Sequence, residues 1–432
     1  MPATDHQLTE PVTGPAEPVR GPAEPEMGPA EALAELFTPA GKHHPYPLYD
    51  ALWGLGPVIP LGPAGTLVLG YDEICTALRD PRFLVTDAAV HRTTGMNDHS
   101  SWQCFTKIMM FSNSPDHERM RRFAGWAYAP RLVAERRRLA VGAAERWTAH
   151  LATLDGGGPD GGGPVDLVEA FATRVPITVT GDLLGIPEAD RMELRGAVTA
   201  TTTAFEPVFD RDELLPADAG MDVLVDYLAD LVRDRRRRPA DDLISVMVRD
   251  RDAAGALSED ELVASLVMFL IAGVQSPSDL IGNAVRLALH HPAEGRRMTT
   301  DEEHTAAFIT ETLRIDPPNH VLTRSAATDI DLHGHRVAAG SRALLVLAAA
   351  NRDPRRFTDP AAFDTAREDN RPLSFGLGPH YCLGAAFARM QVEAAVPVLL
   401  RRFPRMTLAA PPTHRDQLVT RGFARMEVVL GS

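Results

Sequence analysis

A chain of 432 residues with 58 acidic against 44 basic side chains carries a net charge of −14, which argues against nucleic acid as a partner. Its 44% hydrophobic and 24% charged content is that of a soluble globular protein. Its three cysteines, Cys75, Cys104 and Cys382, lie far apart without metal-site spacing and argue against a disulfide framework. The N-terminal stretch lacks the apolar core of a signal peptide or membrane anchor, so a soluble cytoplasmic protein with no membrane partner is expected.

In chain order, residues 1–32 carry Gly-Pro-Ala-Glu units at Gly14, Gly21 and Gly28, too polar and proline-rich to bury surface, and read as a disordered tail. From Leu33 the pattern is globular. Val58-Ile59-Pro60-Leu61 and Thr66 to Gly70 read as a hairpin turning at Gly-Pro-Ala-Gly. Helical patterns follow over 116–126, 132–154, 166–184, 221–236 and 307–314. The glycine-rich run 156–164 is a surface connection, with Asp166 as the N-cap of the next helix. Near the C-terminus Ile330-Asp331-Leu332 and Arg336-Val337 bracket a turn at His333-Gly334-His335.

Glu261 to His290 is the longest apolar helical stretch, about thirty residues or ~45 Å, enough to cross a domain as a buried spine. A membrane span is ruled out by Gln275, Ser276, Ser278 and Asp279, which interrupt the apolar run. Pro277 has no N–H, so the carbonyl of Gly273, four residues back, loses its helical partner; a kink is expected there, with a carbonyl open to water or oxygen.

The densest chemistry lies in Phe375-Gly376-Leu377-Gly378-Pro379-His380-Tyr381-Cys382-Leu383-Gly384, a glycine-rich loop running into a helix. A cysteine at a helix N-terminus is expected to have a lowered pKa, making it a metal ligand or a nucleophile. A nucleophile activated by His380 needs a special turn, because residues at i and i+2 do not face each other on a helix. Gly376 and Gly378 leave room for a flat ligand against the backbone.

The spacing Phe-Gly-x-Gly-x-His-x-Cys-x-Gly resembles the haem-ligand loop of the cytochrome P-450 family. The resemblance implies a mainly α fold with a minor β part, one large helical domain with small sheets over 33–432, although length alone suggests two or three domains. It implies haem b (iron protoporphyrin IX), with Cys382 as the proximal iron ligand and Phe375, Gly376 and Gly384 in the haem loop. His117 and Arg121 match the family's His-x-x-x-Arg propionate clamp, joined by Arg324 and His380. Glu311 and Arg314 match its Glu-x-x-Arg brace, with Arg367 as the third member.

Ala272-Gly273-Val274-Gln275-Ser276-Pro277 matches the family's Ala-Gly-x-acid-Thr-Thr, in which an acid and an alcohol relay protons during dioxygen activation. Here Gln275 cannot ionise, which leaves Ser276, with Gly273 and Gln275, as the candidate distal catalytic group. The pocket is expected to be lined by Phe269, Val274, Val321 and Leu322, with access through residues 84–110 and 200–220. Arg119 and Arg122 offer a face for an acidic electron donor.

The implied activity is that of a monooxygenase using O2 and electrons from a ferredoxin and ferredoxin reductase. The implied substrate is a small-molecule or peptide intermediate of specialised metabolism. A non-catalytic haem-binding or sensing protein of the same fold and a haem-free cysteine nucleophile are the competing readings.

Overall fold

The computed structural model describes residues 29–62, 65–85, 95–154, 163–207 and 210–431. The tail expected over 1–32 lies outside the described residues up to residue 28. From Pro29 the chain is already helical: Pro29–Glu35 carries Ala32 and runs toward Leu36, both buried against Tyr49 and Leu52. The last Gly-Pro-Ala-Glu unit runs into Ala-Leu-Ala-Glu, whose strong helix formers win over the proline-rich pattern.

Strands β1 (Val58–Pro60) and β2 (Thr66–Val68) form the expected hairpin, with turn residues 63–64 outside the described residues. They join β3 (Phe83–Leu84), β5 (Val321–Ala326) and β8 (Arg342–Val346) in a sheet of order β1-β2-β8-β5-β3. Only β2 and β8 pair in parallel. A second hairpin, β6 (Ile330–Leu332) and β7 (His335–Val337), turns where His333 and Gly334 both take positive φ, the geometry that two-residue hairpins favour. β4 (Val165–Asp166), β9 (Thr407–Leu408) and β12 (Glu427–Val429) form a third sheet, and β10 (Thr413–His414) pairs with β11 (Phe423–Arg425).

The helices that frame the site and the core are α1 (Asp116–Ala124), α2 (Pro130–Leu154), α3 (Arg174–Leu184), α4 (Arg191–Thr201), α5 (Leu215–Arg237), α6 (Glu259–His290), α7 (Glu302–Ile315) and α8 (Ala385–Arg402). The connection at 156–162 lies outside the described residues. Asp166 does not cap a helix directly: it sits in β4, and its carboxylate accepts from the N–H groups of Val168 and Met426, tying this turn to the C-terminal sheet. A π-helical turn, Val168–Ala172, then leads into α3.

The long helix α6 passes through the largest core and starts at Glu259, because a capping box between Ser258 and Glu261 satisfies its first turn. It is long and apolar enough to cross a membrane, but 83% of its most apolar window is buried inside the protein. Despite Pro277 the helix is continuous.

Candidate active site

The cysteine loop is shaped by backbone that only glycine tolerates well. Gly376 and Gly378 have φ of 67° and 72°, and a Cβ on Gly378 would lie 2.4 Å from the Leu78 carbonyl oxygen. The Cys382 N–H donates to the Phe375 carbonyl at 2.9 Å, closing the loop, and α8 starts just beyond, with Gly384 as its N-cap. The thiol does not have the lowered pKa expected of a helix N-terminus. Burial pushes it up, outweighing the Gly384 N–H and the Arg121 charge that favour the thiolate. A cation at the sulfur would supply the charge that this enclosed site lacks.

Four side chains from three parts of the chain converge beside the loop. The His117 and His380 rings lie 4.0 Å apart between centroids, and burial with the Arg324 and Arg121 charges holds His380 down to about 3. His117 is lowered for the same reasons. Arg324 is 7% exposed, and its one described hydrogen bond is to the Thr323 carbonyl, so burial alone lowers it to about 10. Among the described residues none of the four is hydrogen-bonded or ion-paired to a carboxylate. A buried cation without an anion is costly, and these donors fit a ligand that brings its own carboxylates.

Beneath the loop, Glu311 and Arg314 are both fully buried and paired twice, at 2.7 and 2.8 Å. Arg314 also donates to the carbonyls of Asn351, Pro360 and Ala362. Glu311 accepts from the Asp364 N–H and the Asn370 amide, and Arg367 Nε approaches it at 3.5 Å. Asn351 then binds the Leu373 N–H and the Ser374 hydroxyl, so the brace reaches the residues just before Phe375.

Between Leu262 and Val285, α6 is buried except for one stripe: Met268, Ala272, Gly273 and Ser276. This spacing marks the helix face toward an open interior space. Phe269, Val274 and Val321, expected to line that space, are instead core residues, with the Phe269 ring packed on Tyr128 at 5.5 Å; Leu322 remains half-buried. The Gly273 carbonyl freed by Pro277 is not open to water or oxygen, because Thr180 Oγ1 of α3 donates to it at 2.9 Å. A Cβ on Gly273 would stand 2.8 Å from that hydroxyl oxygen.

Ser276 Oγ accepts from the Asn319 amide at 3.4 Å. Gln275 is buried and turned away from the stripe: its amide donates to both oxygens of Asp279, at 3.2 and 3.1 Å, and accepts from Thr199. Burial raises the pKa of Asp279 against the pull of Arg415, which grips it bidentately at 2.8 Å. This acid, one helical turn beyond Gln275, was not singled out as functional in the sequence, and only its fixed partner Gln275, at i−4, signalled it.

Of the two access segments, residues 86–94 and 208–209 lie outside the described residues. The remainder meets in an aromatic cluster in which Phe205 stacks on Phe105 at 4.9 Å and Phe111 and Trp102 close around them. His99 and Ser101 both bind the Asp218 carboxylate of α5. Arg119 is not available for docking, because it is paired with Asp116 and Glu261; Arg122 is exposed.

The donor set therefore fits an iron porphyrin: Cys382 Sγ would hold the iron, and the His117, Arg121, Arg324 and His380 cluster would receive two carboxylates. Comparison with known proteins agrees. The family model "Cytochrome P450" matches residues 217–422. The "Biotin biosynthesis cytochrome P450" of Bacillus subtilis (strain 168) is 31% identical over 369 residues, covering 85% of this chain and 91% of the relative. "Cytochrome P450 monooxygenase PikC" of Streptomyces venezuelae is 33% identical, covering 85% and 86%. The crystal structure of P450BioI in complex with hexadec-9Z-enoic acid ligated acyl carrier protein superimposes with a TM-score of 0.81 at 27% identity, covering 90% of this chain and 99% of that one. Identity of this level over most of both chains makes this protein a member of the cytochrome P450 family, a haem-dependent monooxygenase family.

Proposed function

We propose that the protein oxidises a specialised-metabolite intermediate, a peptide or polyketide, by hydroxylation, epoxidation, oxidative decarboxylation or oxidative coupling. It would take electrons from a ferredoxin and ferredoxin reductase and work in the cytoplasm. When bound, haem ligated by a cysteine thiolate supplies dioxygen activation, favoured by the electron density that the sulfur donates. Cys382 would hold the iron, Arg121 and Arg324 would neutralise the propionates, and His117 and His380 would donate hydrogen bonds to them. Phe111 and Phe205, half-buried and backed by Trp102 and Phe105, offer apolar surface to the substrate.

One observation carries the choice of a dedicated substrate. The exposed stripe of α6 bears no acid, and the nearest one on that helix, Asp279, is committed to Arg415 and Gln275. Ser276 accepts from Asn319, and among the described residues its own O–H has no acceptor, which leaves it to donate to a substrate. A substrate with its own carboxyl or hydroxyl completes the relay beside Ser276. The relatives support this reading, since two of them are named for biosynthesis and for a carrier-bound acyl chain. They do not favour a haem sensor.

The test is a metabolite-library screen of the haem-loaded protein for a low-to-high-spin shift, followed by turnover of the hits. The expected hits are carboxyl- or hydroxyl-bearing peptides or polyketides, converted with oxygen-dependent consumption of reductant. Equal conversion of simple hydrophobic compounds would contradict a dedicated role. Unchanged coupling of reductant to product in Ser276→Ala would dismiss the serine as the proton donor.

A further inference from the structure

The side chains around Gln275 close into a ring that begins and ends on α4. Thr199 Oγ1 donates to Gln275 Oε1 at 3.3 Å, and the Gln275 amide donates to Asp279. Asp279 accepts both arms of Arg415 at 2.8 Å, and Arg415 Nε donates to Gln417 Oε1 at 2.8 Å. The Gln417 amide donates to Thr202 Oγ1 at 2.9 Å, and that hydroxyl donates back to the Thr199 carbonyl at 2.7 Å. A second tie runs parallel, from the Glu206 carboxylate to the N–H groups of Leu418, Val419 and Thr420. Gly422 makes room for the ring: a Cβ there would stand 2.0 Å from Asp279 Oδ1.

The ring also fixes which way Gln275 points. Both Asp279 oxygens accept from Arg415 and from the Gln275 amide, so the amide turns its NH2 toward the carboxylate and its carbonyl toward Thr199. A glutamate at this position would place two carboxylates face to face, where they could not both ionise without strong repulsion. Glutamine at the position where the family has an acid and aspartate one turn later thus form a matched pair.

We propose that Asp279 is a positioning residue of the distal site. Acting through Gln275 and Arg415, it ties α4, whose extension carries the stacked Phe205, to the stripe of α6 that carries Ser276. Ordering of the substrate-facing helix and placement of the serine then become one event. The proposal rests on the reading of that stripe as the distal face, but its test needs no substrate and so fails or succeeds separately from the proposed function.

The test is hydrogen–deuterium exchange of the haem-loaded protein over residues 191–205. Gln275→Glu is expected to raise exchange there by about threefold to tenfold, the loss of one or two hydrogen bonds, while leaving the ferrous–CO band in place. The swapped double variant Gln275→Glu/Asp279→Asn again faces a donor with an acceptor between 275 and 279 but takes the carboxylate from Arg415, so it is expected to bring exchange part of the way back from the single variant. Unchanged exchange in the single variant, or a double variant no better than the single, overturns the proposal. Thr199→Val leaves the ion pair whole and must also raise exchange in this window; no rise refutes the tie even if the charge variants fail to fold.

Discussion

Removing the Glu311 carboxylate is the severest single cut the structure offers to the support of the cysteine loop. Glu311→Ala leaves the fully buried Arg314 guanidinium without its only carboxylate partner at hydrogen-bonding distance, and breaking such a pair costs about 3–5 kcal/mol. The Asp364 N–H and Asn370 amide lose their acceptor as well, at about 1 kcal/mol each, bringing the loss to about 5–7 kcal/mol. A chain of 432 residues unfolds with an entropy of about 0.9 kcal/mol/K at its midpoint, so Tm should fall by about 6–8 °C. Because Arg314 holds the Asn351 carbonyl and Asn351 holds Leu373 and Ser374, haem should also leave faster. Differential scanning calorimetry of the haem-loaded protein and haem transfer to apomyoglobin read the two effects. A Tm within about 1 °C of native with unchanged haem release would refute the assignment of Glu311 as the brace.

Arg324→Ala should act with opposite signs in the two forms of the protein. It should raise the Tm of the haem-free chain by removing an unpaired buried cation, and weaken haem retention about ten- to a hundredfold through a lost charged contact. Thr180→Val strands the Gly273 carbonyl and should cost about 1–3 kcal/mol in urea unfolding. Thr180→Val/Pro277→Ala should recover much of that, because alanine restores the helical N–H; recovery that fails would discount the proline as the cause. Stability should also fall with acid. His320, fully buried, and His414, lowered to about 3, stay neutral in the fold, while the unfolded chain takes up their protons below its ordinary pKa of about 6.5. The urea midpoint should therefore hold above pH 7 and decline as pH falls from about 6.5 toward 3, and His414→Gln should flatten the decline.

What the sequence made legible was local. The β1–β2 hairpin and the His333-Gly334 turn each rest on residues that dictate their own backbone, and the cysteine loop rests on two glycines with positive φ; the start of α6 lies two residues before the expected Glu261, where Ser258 caps it. Pairs at fixed helical spacing, His117 with Arg121 and Glu311 with Arg314, were readable for the same reason. What stayed hidden depends on partners far away in the chain. Thr180 meets Gly273 across 93 residues, and Arg415 meets Asp279 across 136, so neither spacing nor periodicity announces them. The Cys382 thiol is raised where its helix N-terminus leads one to expect a lowered pKa, because the terminus is visible in sequence and enclosure is not. Pocket lining failed by helical phase: Phe269 and Val274 neighbour the exposed positions in sequence but point into the core.

The central claim is that Cys382 holds haem iron through its sulfur, and the ferrous–CO absorbance spectrum tests it most directly. The native protein should show the red-shifted Soret band of thiolate ligation, and Cys382→Ser should lose that band. A native spectrum without the shift, or a serine variant that keeps it, would contradict the account.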